Sequence, residues 1–219
     1  MKAASSGLYR LGSEIEAEWV SGVPSVFERA EKSEGPALVF ARNFFKNPRM
    51  LGSLIPSSRF LVNQLLRNIN WEQARVIVEY GPGVGTISGD ILKRMRPDAT
   101  LVVFEINDDF VHHLTTRFND PRLRVVHRSA ADVRAVLSEL GLGPADYAIS
   151  GIPFSMMSES DRQAVVTNTH AALRTGGSFL VYQFSSRVRS YLEELFGQVR
   201  QQFELRNILP ARLFHCVKR

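Results

Sequence analysis

Glycines at 81, 83 and 85 alternate with Pro82 and Val84 directly behind the apolar run Val76–Tyr80, and Thr86 follows them. A turn this bare lets a ligand lie against the backbone, and the N–H groups opening a helix after Thr86 point at that ligand. Glu105 closes a second apolar run, Thr100–Phe104, about twenty residues further on. A carboxylate there is placed to accept hydrogen bonds from two ribose hydroxyls, the arrangement used by open α/β sheets that bind nucleotides. A dinucleotide fingerprint, G-x-G-x-x-G, needs its third glycine at position 86; that residue is threonine, and the third glycine comes one residue early. Glu79, on the strand ahead of the turn, either caps local backbone or serves the ligand.

A second reactive stretch is Ser150-Gly151-Ile152-Pro153-Phe154, behind another apolar run. The aromatic rings of Phe154, Tyr80 and Tyr182 are candidates for holding a cation by cation–π attraction, although each also reads as a core residue. Arg187 and Arg189 either meet a phosphate or form a solvated face. His112 and His113 are adjacent on a helix and cannot share one face for a metal, and His127, His170 and His215 are scattered, so no metal is expected. Cys216 alone builds neither a disulfide framework nor a metal cluster.

The elements that must position these residues alternate regularly. From residue 75 onward the pattern predicts strands at 75–80, 100–105, 122–127, 146–150 and 178–184. Helices at 87–95, 108–118, 132–140 and 159–173 separate them, the last closed by Gly176 and Gly177. A short helix, 188–196, precedes two further strands at about 199–208 and 212–218, joined by a connection too short for a crossover helix. This predicts an α/β fold with a mostly parallel sheet that ends in an antiparallel C-terminal hairpin. Ahead of it, either Ser57 or Ser58 caps a helix at 59–69. Earlier still, Phe40 and Phe44 share one row of a helix at 37–47 while Arg42 and Lys46 share another. That segment packs on the core or lies in a membrane interface. The division expected is an N-terminal helical arm and cap over residues 1–70 and a main domain over 71–219.

The chain has 219 residues, 44% hydrophobic and 22% charged, which suits one α/β domain with an appendage. No apolar run approaches the roughly 18 uncharged residues of a spanning helix, and no secretory signal is evident, so a cytoplasmic location is expected. Lys and Arg total 27 against 22 Asp and Glu, a net charge of +5. That excess suits an anionic partner, a lipid surface or a nucleic acid, without choosing between them.

The E-x-G-x-G-x-G form from Glu79 to Gly85, with the later acid Glu105, resembles the class I S-adenosylmethionine-dependent methyltransferases. The resemblance implies a Rossmann-like seven-stranded sheet with S-adenosyl-L-methionine as cofactor. In it Glu79, Tyr80, Gly81, Gly83 and Gly85 pass the methionine end, Glu105 holds the ribose and Ile106 flanks adenine. Ser129-Ala130 stands where that fold has an aspartate-alanine pair reaching the adenine amino group, so serine is a departure. The acceptor is expected at Ser150, Gly151, Pro153 and Phe154. Enzymes methylating an adenine amino group carry Asn or Asp, then x-Pro-aromatic, and here glycine occupies the Asn or Asp position.

A narrower resemblance is carried by Asn47-Pro48-Arg49, Ile55-Pro56-Ser57-Ser58-Arg59, Phe104-Glu105-Ile106-Asn107, Ser150-Gly151-Ile152-Pro153, Gln183-Phe184 and Asn207-x-x-Pro210-Ala211-Arg212. Together with the glycine turn these are similar to the bacterial phospholipid N-methyltransferases, and more distantly to the rRNA adenine dimethyltransferases. The resemblance implies methylation of a phosphatidylethanolamine-like amine by a peripheral enzyme on the inner membrane face, touching an anionic surface through its N-terminal helix. It places Ser57 and Ser58 near the cofactor and Tyr182, Arg187 and Arg189 near the substrate. An RNA adenine methyltransferase and a non-catalytic S-adenosylmethionine-binding module are the alternatives.

Overall fold

The computed structural model describes residues 58–186, 188–206 and 211–219. The helix expected at 37–47, Ser57, Arg187 and the 207–210 connection lie outside the described residues.

Strand β1 (Val76–Tyr80) is buried along its whole length, as expected of a short β-branched run covered on both faces. It pairs in parallel with β2 (Thr100–Glu105) and β4 (Ala145–Ser150). Strand β3 (Leu123–His127) extends the sheet beyond β2, and β5 (Leu173–Gln183) extends it beyond β4, again in parallel. The last two strands, β6 (Val199–Glu204) and β7 (Ala211–Val217), pair antiparallel, and β7 also runs antiparallel to β5. The order is β3-β2-β1-β4-β5-β7-β6. Successive strands leave β1 in opposite directions, so a crevice opens beyond the carboxyl ends of β1 and β4.

Alternate residues of these strands serve two cores. Ile77, Leu101, Ile149 and Leu180 face Leu61 and Leu65 of α1 (Arg59–Leu66), Ile91 of α2 (Thr86–Arg94) and Leu114 of α3 (Asp108–Arg117). Val78, Val102, Ala148 and Val181 face Val136 of α4 (Val133–Glu139), Val166 of α5 (Glu159–Ala172) and Leu192 of α6 (Arg189–Phe196). Helices cover both faces, as the alternating pattern predicts.

Asp146 fastens the opposite end of the sheet. Its Oδ2 accepts from the backbone N–H groups of Arg75 and Val76 at 2.8 and 3.0 Å, and its Oδ1 from Arg174 Nε at 2.6 Å. Burial pushes its carboxyl up, but these donors outweigh burial and hold it below its ordinary value.

The largest departures from the expected boundaries are at α1, which ends at Leu66 and not at 69, and at two strands. The fifth strand begins at Leu173, directly behind α5, because Leu173 is already extended. Gly176 and Gly177 therefore lie inside the strand and do not close the helix. Gly177 is required there by close approach: a Cβ would stand 2.9–3.1 Å from the carbonyl oxygens of Arg174, Asp146 and Ala145. Strand β6 stops at Glu204, whose carboxylate accepts from the Arg206 N–H at 2.8 Å and turns the chain out of the ladder.

Candidate active site

The glycine turn is built by strand continuation followed by reversal. The Gly81 N–H still donates to Phe104 O at 2.9 Å, as a sixth rung between β1 and β2, and the Gly85 N–H then donates back to Pro82 O at 2.9 Å. All three glycines take positive φ, 65°, 54° and 77°. At Gly85 this coincides with crowding, since a Cβ would meet Phe118 at 2.6 Å and Leu114 at 2.8 Å. Gly85 also caps α2 with no side-chain bond to its first N–H groups. The helix therefore opens on the crevice without a side-chain cap.

Glu105 reaches this turn from β2. Its Oε1 accepts the N–H groups of Ile106 and Asn107 at 2.9 and 3.0 Å, and its Oε2 accepts that of Gly83 at 3.3 Å. A carboxylate has about four acceptor positions, so Oε2, with one long bond, has room for a further donor. Burial raises the Glu105 pKa, against those three N–H groups and nearby His127. Glu79, 2% exposed, accepts from Ser88 Oγ at 2.6 Å. Burial, opposed by that bond and reinforced by Glu105, pushes its carboxyl up to about 7. Neither carboxyl is paired with a lysine or arginine among the described residues. Beside them Ile106 is 67% exposed, an apolar side chain held out at the strand end.

These features fit S-adenosylmethionine. Bare backbone admits the ligand closely, two buried carboxyls without a basic partner favour a ligand that brings positive charge, and Ile106 offers an apolar face to a flat ring.

Beyond β4, the Gly151 N–H donates to Tyr80 O at 3.0 Å, which sets the acceptor loop beside the glycine turn. Ser150 is fully buried and its Oγ has no hydrogen-bond partner among the described residues. Gln183 clamps this loop to β5, donating from Nε2 to Ile152 O at 2.6 Å and accepting the Phe154 N–H at 3.2 Å. Arg162 holds the far side through Phe154 O at 3.0 Å and Met157 O at 2.9 Å.

Several expected site residues are placed differently. The Phe154 ring is fully buried in the core with Val165 and Val181, because Gln183 and Arg162 hold its backbone and turn the side chain inward. Tyr80 is equally buried, edge-on to Phe104, with its hydroxyl 3.0 Å from Thr169 Oγ1. Neither ring presents a face to a substrate cation. Of the three aromatic candidates, Tyr182 remains, half-buried beside Gly151. Ser58 caps α1, accepting the Leu61 N–H at 3.2 Å. Ser129 caps the turn Ala130–Asp132, exposed, with Ala130 buried behind it. Arg189 is engaged by Glu193 at 2.7 Å on the surface. Ser88 and Arg162 are partners that no spacing in the sequence singles out. Gln183 belongs to the Gln183-Phe184 pair of the family pattern, and its role as a clamp comes from the fold of the loop it bonds.

An ornithine lipid N-methyltransferase from Singulisphaera acidiphila is 32% identical over 180 residues, which cover 81% of this chain and 94% of that protein. The chain belongs to its family. It is a class I S-adenosylmethionine-dependent methyltransferase, and S-adenosylmethionine is its cofactor. The family profile described as ribosomal RNA adenine dimethylase matches residues 44–139. Ribosomal RNA small subunit methyltransferase A from Mycoplasma capricolum is 29% identical over 118 residues, 52% of this chain and 42% of that protein. This chain thus spans less than half of that enzyme's length. Among solved structures, the N-methyltransferase NodS from Bradyrhizobium japonicum, in complex with S-adenosylhomocysteine, superposes with TM-score 0.57 at 12% identity, over 72% of this chain and 85% of that one. A precorrin-6y C5,15-methyltransferase from Geobacter metallireducens gives 0.58 at 15% identity, over 73% and 88%. Both share the fold.

Proposed function

We propose that this methyltransferase acts on the amine headgroup of a membrane lipid. The observation that carries the reading is the end of β4. Glycine at 151 supplies no side-chain oxygen to hold an adenine amino group, and the aromatic ring of Phe154, three residues on, is buried in the core, where it cannot stack on a base. The rRNA dimethylase profile stops at residue 139, ahead of β4. It therefore supports the shared cofactor half and is silent on the acceptor, whereas the match to the ornithine lipid enzyme extends over 81% of this chain.

In this reading the glycine turn lies along the methionine end, Oε2 of Glu105 takes a ribose hydroxyl and Ile106 packs against adenine. Bound there, S-adenosylmethionine supplies a sulfonium methyl that the amine lone pair takes as the S–C bond breaks and a neutral thioether leaves. The chain's part is placement: the Gly151–Phe154 loop, clamped by Gln183, holds the nitrogen in line within near-attack distance. The crevice depresses the pKa of an entering ammonium by desolvation, so its proton passes to water without a dedicated base. The net charge of +5 draws the enzyme to an anionic bilayer, where the headgroup enters from the surface. Among the described residues no helix is long and apolar enough to cross a membrane.

The test offers methyl-labelled cofactor and the full chain three acceptors: phosphatidylethanolamine vesicles, ornithine lipid vesicles and a ribosomal RNA transcript. Label is expected in lipid. Label in RNA with none in either lipid would replace this reading with the adenine methyltransferase.

A further inference from the structure

Gly151 leaves a space that another strand fills. A Cβ built on Gly151 would stand 2.2 Å from Tyr182 Oη, 2.6 Å from Cζ and 2.9 Å from Cε1. Such separations lie far inside van der Waals contact, so the phenol oxygen lies on the path a side chain at 151 would follow. The register explains why. Ser150 pairs with Val181, so Gly151 and Tyr182 are the next cross-strand neighbours, on the same face as Ile149 and Leu180.

We propose that Tyr182 Oη replaces the missing side-chain acceptor and orients the substrate amine from β5. This rests on the lipid-amine reading above. The position is the one from which a carboxamide or carboxylate at 151 would hold an amine in a base-methylating site. A phenol oxygen there accepts an N–H from the substrate while the nitrogen lone pair points at the methyl to be transferred. Tyr182 takes no proton in this arrangement; its part is orientation. The ring adds selectivity. It occupies room beside residue 151 that a planar base would enter, whereas an alkyl amine on a flexible headgroup needs only the oxygen. Residues 151 and 182 are consequently one steric unit, in which glycine at one position is required by tyrosine at the other.

Two consequences separate orientation from packing. Removing only the oxygen, Tyr182→Phe, leaves the ring in place, and moving the acceptor back, Gly151→Asn with Tyr182→Ala, restores an oxygen from the other strand. The full chain, these two variants and Tyr182→Ala alone are assayed with labelled cofactor on phosphatidylethanolamine and ornithine lipid vesicles, with cofactor affinity by calorimetry and melting temperature recorded alongside. Tyr182→Phe is expected to lower kcat on the order of 10- to 100-fold, the loss of one orienting hydrogen bond, with cofactor affinity and melting unchanged. The paired variant is expected to exceed Tyr182→Ala alone at least tenfold on the lipid that wild type uses. Tyr182→Phe with wild-type kcat on a lipid that wild type labels would overturn the inference, whatever the paired variant does. A wild-type chain that labels no lipid would instead overturn the reading on which it rests.

Discussion

Glu105 does two things with one carboxylate. It organises its own loop through the Ile106 and Asn107 N–H groups, and it reaches across to Gly83 by a bond long enough to be exchanged for a ligand hydroxyl. The charge matters because hydrogen bonds to an ionised acceptor are roughly twice as strong as neutral ones. Glu105→Gln keeps the shape and one acceptor oxygen, so the protein should fold, with S-adenosylmethionine affinity reduced about 10- to 100-fold, or roughly 1.5–3 kcal/mol. Titration calorimetry reads this directly; an unchanged dissociation constant would mean that Glu105 only shapes the loop. The sequence placed this carboxylate by its distance from the glycine turn. It could not show that Tyr80 and Phe154 turn into the core. Side-chain direction at a strand end depends on which neighbours hold the backbone: for Phe154 those are Gln183 and Arg162, and for Tyr80 the flanking strands β2 and β4.

At the scale of elements, the crevice stays open because β1, β4 and β5 are held in register at their far ends. Asp146 does much of this, joining the start of β1 to Arg174 on β5. Asp146→Ala strands the buried Val76 N–H and loosens that of Arg75, at a cost of roughly 2–4 kcal/mol. Chemical denaturation should show the loss near neutral pH. Because the folded-state pKa of Asp146 is lowered, its contribution is present above the ordinary carboxyl value near 3.8 and fades as pH falls through the folded value. A difference between wild type and variant that persists undiminished in strong acid would contradict this role. The helices and strands themselves were legible from apolar period and turn residues. The Gly176-Gly177 pair was not, because glycine marks a helix stop and a crowded strand equally, and only the carbonyls packed against Gly177 distinguish them.

Over the whole molecule, the site costs stability that a bound cofactor can return. Glu79, with its carboxyl at about 7 in the fold against 4.5 unfolded, contributes most below pH 4.5, and that contribution is lost as pH rises to about 7. His170 and His215, whose pKa values burial lowers, act in the opposite sense: their contribution is full above 6.5 and lost as pH falls below it. The wild-type pH curve therefore mixes the two, and the difference from Glu79→Gln isolates the carboxyl. That variant should melt higher than wild type near pH 8, by a stability difference on the order of 3 kcal/mol, with the gap closing towards pH 4.5. Differential scanning calorimetry showing the same gap at both ends would rule out Glu79 as the source.

By itself the sequence determined the donor half of this enzyme. Strand, bare turn, helix and later acid are local patterns, each enforced by chain geometry over a few residues; they mark a nucleotide-type site, and their resemblance to class I methyltransferases implies S-adenosylmethionine. It also announced the missing side chain at 151. What filled that absence was decided only in three dimensions. Gly151 and Tyr182 are separated in the chain by a whole helix and become neighbours because β4 and β5 pair in parallel with Ser150 opposite Val181. Register is a tertiary property, fixed by two cores on opposite faces of one sheet, and it brings the phenol oxygen of one strand into the space left by the other.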